Sequence, residues 1–254
     1  GITLLTVLII SGRQHIARRP FMIFLFFMIL WSSLIFMMRA SIDLETALVW
    51  ERFVLWAILS ASLFFFRFSV TFTGARLNKY LMYPLYGIYF VMLGLLPTGL
   101  VVSGMQMMWY GKAPVVGPLF PVFVLCVNLF IVLSAVMLKK HYKTTRVIDD
   151  RVRDQYLIAG ITVMIIGATT DFLPSLGIKL YPMGIIGNIL FCLITTAAML
   201  RHNLLDMKVV IRKVTTYSLT TVLIFGVFGS FIYLLSYFFR DFMSPVSMTI
   251  TIII

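Results

Sequence analysis

Apolar residues in this chain gather into long runs that lack the alternation of a strand, and short polar gaps divide the runs. An opening fragment, Gly1–Ile10, is followed by Phe21–Met38, Phe53–Thr73, Tyr80–Val102 and Leu119–Leu138. Then come Tyr156–Leu173, Met183–Leu200 and Tyr217–Phe239, and a ninth run begins near Val246. A bilayer-crossing helix needs roughly 20 apolar residues, and all the runs but the terminal two meet that need. Backbone polar groups in hydrocarbon must be satisfied within the segment, so runs without period-2 alternation predict helices and not barrel strands. The pattern predicts an all-α integral membrane protein, a polytopic bundle of about nine transmembrane helices with the first and last truncated. Gly1–Ile10 has no basic stretch before it and no small-residue cleavage site after it, unlike a signal peptide. Both end runs stop short, which predicts a longer protein with any soluble domain outside these residues.

The charges give the bundle a direction. Fifteen of the 21 Lys and Arg residues fall in alternate gaps, those after the first, third, fifth and seventh runs. Basic loops stay on the cytoplasmic side, so the chain is expected to run N-out/C-in. Trp50, Trp56, Trp109 and Tyr181 then lie near the outer boundary, where amphipathic rings collect. Arg146/Asp150 and Asp149/Arg153 stand at i,i+4 spacing in the fifth gap, which predicts that the flanking helices extend into the cytoplasm.

Composition narrows the class. With 61% hydrophobic residues and a mean hydropathy of +1.03, a soluble domain is excluded, because it would expose too much apolar surface. The net charge of +12 is scattered at segment ends and reads as topology and contact with membrane lipids. No basic stripe is interleaved with stacking aromatics, so no nucleic-acid partner is expected. Cys126 and Cys192 lie among apolar residues and read as packing thiols.

Few residues invite chemistry. His15, His141 and His202 fall in the gaps assigned to the cytoplasm, so they offer no membrane haem site. HExxH, GxSxG, Walker A and CxxC motifs are absent from the sequence. No catalytic residue, cofactor or metal is expected within these residues. Ionisable side chains in hydrocarbon are functional candidates. Arg67 lies about 10 Å deep in the third run, within reach of snorkelling or of a structural partner. Asp171 lies at the C-terminal end of the sixth helix, where the macrodipole disfavours an anion. It therefore calls for a cation, a hydroxyl such as Thr169 or Thr170, or a ligand, and Asn188 at comparable depth is a candidate contact. Together with Trp109 and Tyr181, Asp171 and Asn188 form the candidate ligand-binding set. The gap Met105–Pro118, apolar and rich in Met, Gly and Pro, is expected to lie over the outer ends of the helices. Gly160 and Gly167 share one face of the sixth helix, while Gly184 and Gly187 cluster in the seventh, as close helix packing in lipid requires. Arg201–Thr216 alternates bases with apolar residues, which suits an inner-surface segment with Lys208, Arg212 and Lys213 on anionic lipid.

The stretch Tyr181-Pro182-Met183-Gly184 opens the seventh helix, and Arg201-His202-Asn203-Leu204-Leu205-Asp206-Met207 closes it. This resembles the last helix of the seven-helix sensor at the N-terminus of bacterial histidine kinases, with Met207 where Ile or Leu is usual. Arg18-Arg19-Pro20-Phe21 fits the same family. The resemblance implies a sensor domain over 1–206, a juxtamembrane linker over 207–216 and an additional transmembrane helix pair over 217–254. It also implies a multi-pass protein of the bacterial inner membrane that works as a homodimer, with cytoplasmic kinase domains and a response regulator as partners of the full-length protein. Arg67, Arg201, Leu204, Leu205 and Asp206 are the candidate relay residues. The leading reading is the transmembrane input module of a histidine-kinase receptor, sensing a small or lipophilic ligand or the membrane state. The present residues would not be an enzyme, and kinase activity of the full-length protein stays open. The alternatives are a non-catalytic anchor or accessory subunit of a larger membrane complex, and a small transporter.

Overall fold

The computed structural model describes residues 16–75, 78–174 and 180–202, together with Leu5. All of these belong to the compact unit Gly1–Lys208. Among the described residues, six helices and one hairpin occur in the order α1 (Arg18–Ala40), α2 (Leu44–Phe72), α3 (Lys79–Leu95), β1 (Val102–Met108), β2 (Gly111–Val116), α4 (Phe120–Thr144), α5 (Ile148–Phe172) and α6 (Gly184–His202). Among the described residues, α1, α2 and α4 are long and apolar enough to cross a membrane. Two further apolar stretches, Met82–Leu95 and Gly184–Ala198, are shorter. The first, eighth and ninth runs lie outside the described residues, apart from Leu5.

Helix α2 is the centre of the bundle. Asp43 starts it as an N-cap, accepting from the Thr46 backbone N–H at 2.6 Å and from its hydroxyl at 2.9 Å. Gly74 follows its end at φ +63°, a left-handed conformation that glycine adopts without strain. One face carries Phe65 and Phe68 against α1, with Phe24–Phe65 and Phe21–Phe68 centroids 5.1 and 4.7 Å apart. The other face joins Leu59, Leu63 and Phe66 to α3 and α4 in a second apolar cluster, where Phe66 meets Phe130 at 6.0 Å. A helix buried on opposite faces must be hydrophobic around most of its circumference, and the run Leu63–Phe66 meets that demand.

Two elements depart from the expected pattern. The fourth run does not stay helical to Val102; α3 ends at Leu95, and Pro97 and Gly99 fall in the turns that follow. The gap after it is a two-stranded antiparallel hairpin, so the fold is mostly helical and not all-α. Met108 pairs with Gly111 across the Trp109–Tyr110 turn, and Gly111 takes φ +120° to close it. The hairpin packs on α2 and α1. Its Lys112 ammonium donates to the Ser41 carbonyl, which ties the hairpin to the turn between these helices.

At the other end of α5 the chain makes a different polar contact. Asp150 pairs with Arg153 at 3.2 Å, three residues apart. Asp154 is fully buried just before the apolar run begins at Tyr156, and it faces His141 Nδ1 of α4 at 2.7 Å. The His141 ring in turn meets Phe72 of α2 at 6.1 Å. Burial raises the Asp154 carboxyl above its ordinary value of 3.8; the His141 hydrogen bond and charge oppose this, and Asp150 adds to it. A raised native value means that the folded state holds this proton more tightly than the unfolded chain does. The contribution of Asp154 to stability is therefore complete below pH 3.8 and is lost as pH rises through the raised value. Asp154→Asn, which keeps a polar partner for His141, should flatten the fall in stability over that window. Unfolding in bicelles across the pH range checks this, and equal slopes for the two proteins would refute it.

Candidate functional site

A polar cavity of about 70 Å³ lies where α1 ends, α2 begins, α5 ends and the hairpin crosses. Arg39 reaches it from the last turn of α1, Glu51 from the second turn of α2, Tyr110 and Lys112 from the hairpin, and Asp171 from the end of α5. A second cavity of about 70 Å³ runs further into the bundle, lined chiefly by apolar residues of α1, α2, α4 and α5, with Asn128 and Thr169 among its few polar groups. Trp31, Ile58 and Asp171 line both.

Asp171 is held by the start of the next helix. Its carboxylate accepts from the Gly184 backbone N–H at 2.8 Å, and the neighbouring Thr170 hydroxyl accepts from the Met183 N–H at 2.8 Å. The first N–H groups of a helix lack intrahelical partners, and the positive end of its dipole favours an anion. The N-terminus of α6 thus offsets the unfavourable placement of Asp171 at the C-terminus of α5. A Cβ on Gly184 would collide with the Asp171 carboxylate, so the close approach needs glycine there.

Glu51 has no such support. It is 6% exposed, and among the described residues it makes no hydrogen bond or ion pair. The charge that bears on it is that of Asp171, which is of like sign. Trp31 is 4% exposed, and its indole N–H has no acceptor among the described residues. Buried polar groups are satisfied as a rule, and three on this cavity wall, the Glu51 carboxyl, the Trp31 Nε1 and the Arg39 Nε, have no hydrogen-bond partner among the described residues. Outside the apolar spans, burial raises the Tyr110 phenol above its ordinary value, while the charge of Arg39 opposes the shift.

The residues singled out from the sequence separate into groups. Trp109 and Tyr181 do come together, with ring centroids 6.1 Å apart. Tyr110 touches both rings, at 5.3 and 6.4 Å, and connects them to the polar cavity. Asn188 does not join Asp171. Its amide donates to the Met28 carbonyl at 3.3 Å and to the Ser32 hydroxyl at 2.9 Å, which fastens α6 to α1. Arg67 has a structural partner: its guanidinium donates to the Tyr86 hydroxyl of α3 and lies 5.8 Å from the centre of that ring. Arg201 belongs to the last turn of α6. Leu204, Leu205, Asp206, Lys208, Arg212 and Lys213 lie outside the described residues.

Glu51, Arg39, Lys112, Tyr110 and Trp31 were not singled out from the sequence. A signal for Glu51 was present in its spacing. Ala47, Glu51, Val54 and Leu55 recur at three to four residues and are all buried on one stripe of α2.

The family model described as the N-terminal 7TM region of histidine kinase matches residues 1–208. No curated protein and no solved structure matches the chain.

Proposed function

Starting from the premise that this chain belongs to the family of N-terminal 7TM regions of histidine kinases, we propose that it is the transmembrane input module of a bacterial receptor. In this reading the polar cavity receives the stimulus, and the end of α6 passes it to cytoplasmic domains. The observation that carries the reading is a cavity spanned by the hairpin and lined by the buried Glu51 and by the Trp31 Nε1 and Arg39 Nε, none with a hydrogen-bond partner among the described residues. Asp154 and Asp171 stand 17 positions apart on α5, about 25 Å at helical rise. That separation approaches the hydrocarbon thickness of a bilayer, so the cavity and the His141–Asp154 pair would sit near opposite membrane faces. The basic gaps assign the cavity to the outside and His141 to the cytoplasm.

Asp171 is the mechanical link in this scheme, because it lines the cavity and caps α6. A ligand that competes for its carboxylate would loosen the start of α6, and the helix would carry the change toward Arg201. A ligand shifts such an equilibrium only by its differential affinity for the two packings. Asp171→Ala removes the cap, at a cost of about 1 kcal/mol to the start of α6. In the reconstituted full-length protein, it should change basal autophosphorylation and abolish the stimulated increment. Arg67→Ala should have a smaller effect, because Arg67 braces α2 against α3 away from the cavity. Unchanged basal and stimulated activity in both variants would defeat the sensor reading. A reporter fused within Lys139–Gln155 tests the orientation, and a periplasmic signal there would reverse it.

A further inference from the structure

The two cavities share the lining residues Trp31, Ile58 and Asp171 and differ in their charged groups. Glu51 lines only the outer one and Asp171 lines both, while the inner one is walled chiefly by apolar residues such as Phe24, Met28, Phe65 and Ile131. A ligand filling both is therefore amphiphilic and short. Its polar end is constrained by what each group already has. Lys112 donates to the Ser41 carbonyl, and Arg39, whose Nε has no partner among the described residues, bears on Asp171 through its charge. Asp171 is also bonded to the Gly184 N–H. Glu51 is left without a cation or a donor, beside a like charge. Trp31 offers a donor and lacks an acceptor.

We propose that the two adjoining cavities together bind a small apolar primary amine, its ammonium between Glu51 and Asp171 and a neighbouring carbonyl oxygen accepting from Trp31. The ammonium supplies donors to the orphan carboxylate and separates two like charges. The apolar body takes the inner cavity, where hydrocarbon meets the same contacts as a packed side chain. This assignment names the ligand class of the sensor proposed above and rests on that reading.

L-leucinamide is a suitable probe, because it joins an ammonium, an adjacent carbonyl and an isobutyl group. Its binding to the protein in lipid nanodiscs, measured by calorimetry, should be saturable. 4-Methylpentanamide lacks the amine, and 4-methylpentanoate replaces the polar end with an anion; each should bind at least tenfold more weakly. Glu51→Gln should weaken leucinamide at least tenfold and leave 4-methylpentanamide unaffected. If Glu51→Gln does not fold, Asp171→Asn and the three-ligand comparison on the wild type decide the matter. No binding of leucinamide, or equal binding of the neutral amide, or tighter binding of the anion, would overturn the amine assignment. Should leucinamide bind as expected while autophosphorylation ignores it, the amine site stands and the sensor reading falls.

Discussion

Gly167→Leu should separate α5 from α6 and destabilise the protein by about 3 kcal/mol, at the upper end of overpacking penalties. A Cβ on Gly167 would lie 2.8 Å from the Gly187 Cα and 3.1 Å from the Met183 carbonyl oxygen. Both are backbone atoms, so no rotamer change relieves the clash, and the helices themselves must move. The crossing is reciprocal, since a Cβ on Gly187 would meet the Gly167 Cα at 3.0 Å. Helices in lipid gain nothing from hiding apolar surface from water, and close packing of this kind is what holds them together. The movement would also pull Gly184 from Asp171 and break the cap on α6. Gly87→Ala in α3 is the matched control, because nothing lies within 4 Å of its added methyl. That change should stabilise by about 0.5–1 kcal/mol through reduced backbone entropy. Reversible unfolding in mixed micelles gives both values, and a wild-type midpoint for Gly167→Leu would contradict the α5–α6 crossing.

That crossing was legible in the sequence, because Gly160 and Gly167 share a helical face and small residues at such spacing have few other uses in lipid. Helices α1, α2 and α4 were legible for a similarly direct reason: length and hydropathy alone identify a segment able to cross hydrocarbon. The start of α2 was not. Glu45, Glu51 and Arg52 break the apolar run there, so the run begins at Phe53, while the Asp43 cap starts the helix at Leu44. Packing against α1 and the hairpin then buries Glu51, while Glu45 stays exposed and Arg52 is partly buried. The hairpin was hidden by its composition. Met, Gly and Pro dominate Met105–Pro118, and its alternation is weak because burial along β1 does not follow a strict two-residue period. Asn188 shows a third limit. Its depth matched Asp171 in the sequence, but its direction around α6 puts it on α1, and depth carries no information about direction.

Glu51→Leu should raise stability in the absence of ligand by about 1–3 kcal/mol, the range for removing an unsatisfied buried polar group. Leucine has similar volume, and the surrounding Val54, Leu55 and Ile58 accept it without a new polar group. Glu51→Gln should fall near the wild type, since the amide is still buried without a partner. Stability surplus at the expense of function is common where a site must keep groups that only a ligand satisfies. Leucinamide then provides the decisive contrast. A ligand at a hundred times its dissociation constant stabilises the native state by about 2.7 kcal/mol. The wild type should gain that amount and draw level with or pass the leucine variant, which should gain nothing. Melting of both proteins in nanodiscs, with and without leucinamide, reads the crossing. If Glu51→Leu melts below the wild type without ligand, Glu51 is a satisfied structural residue, and the outer cavity offers no unpartnered carboxyl to an amine.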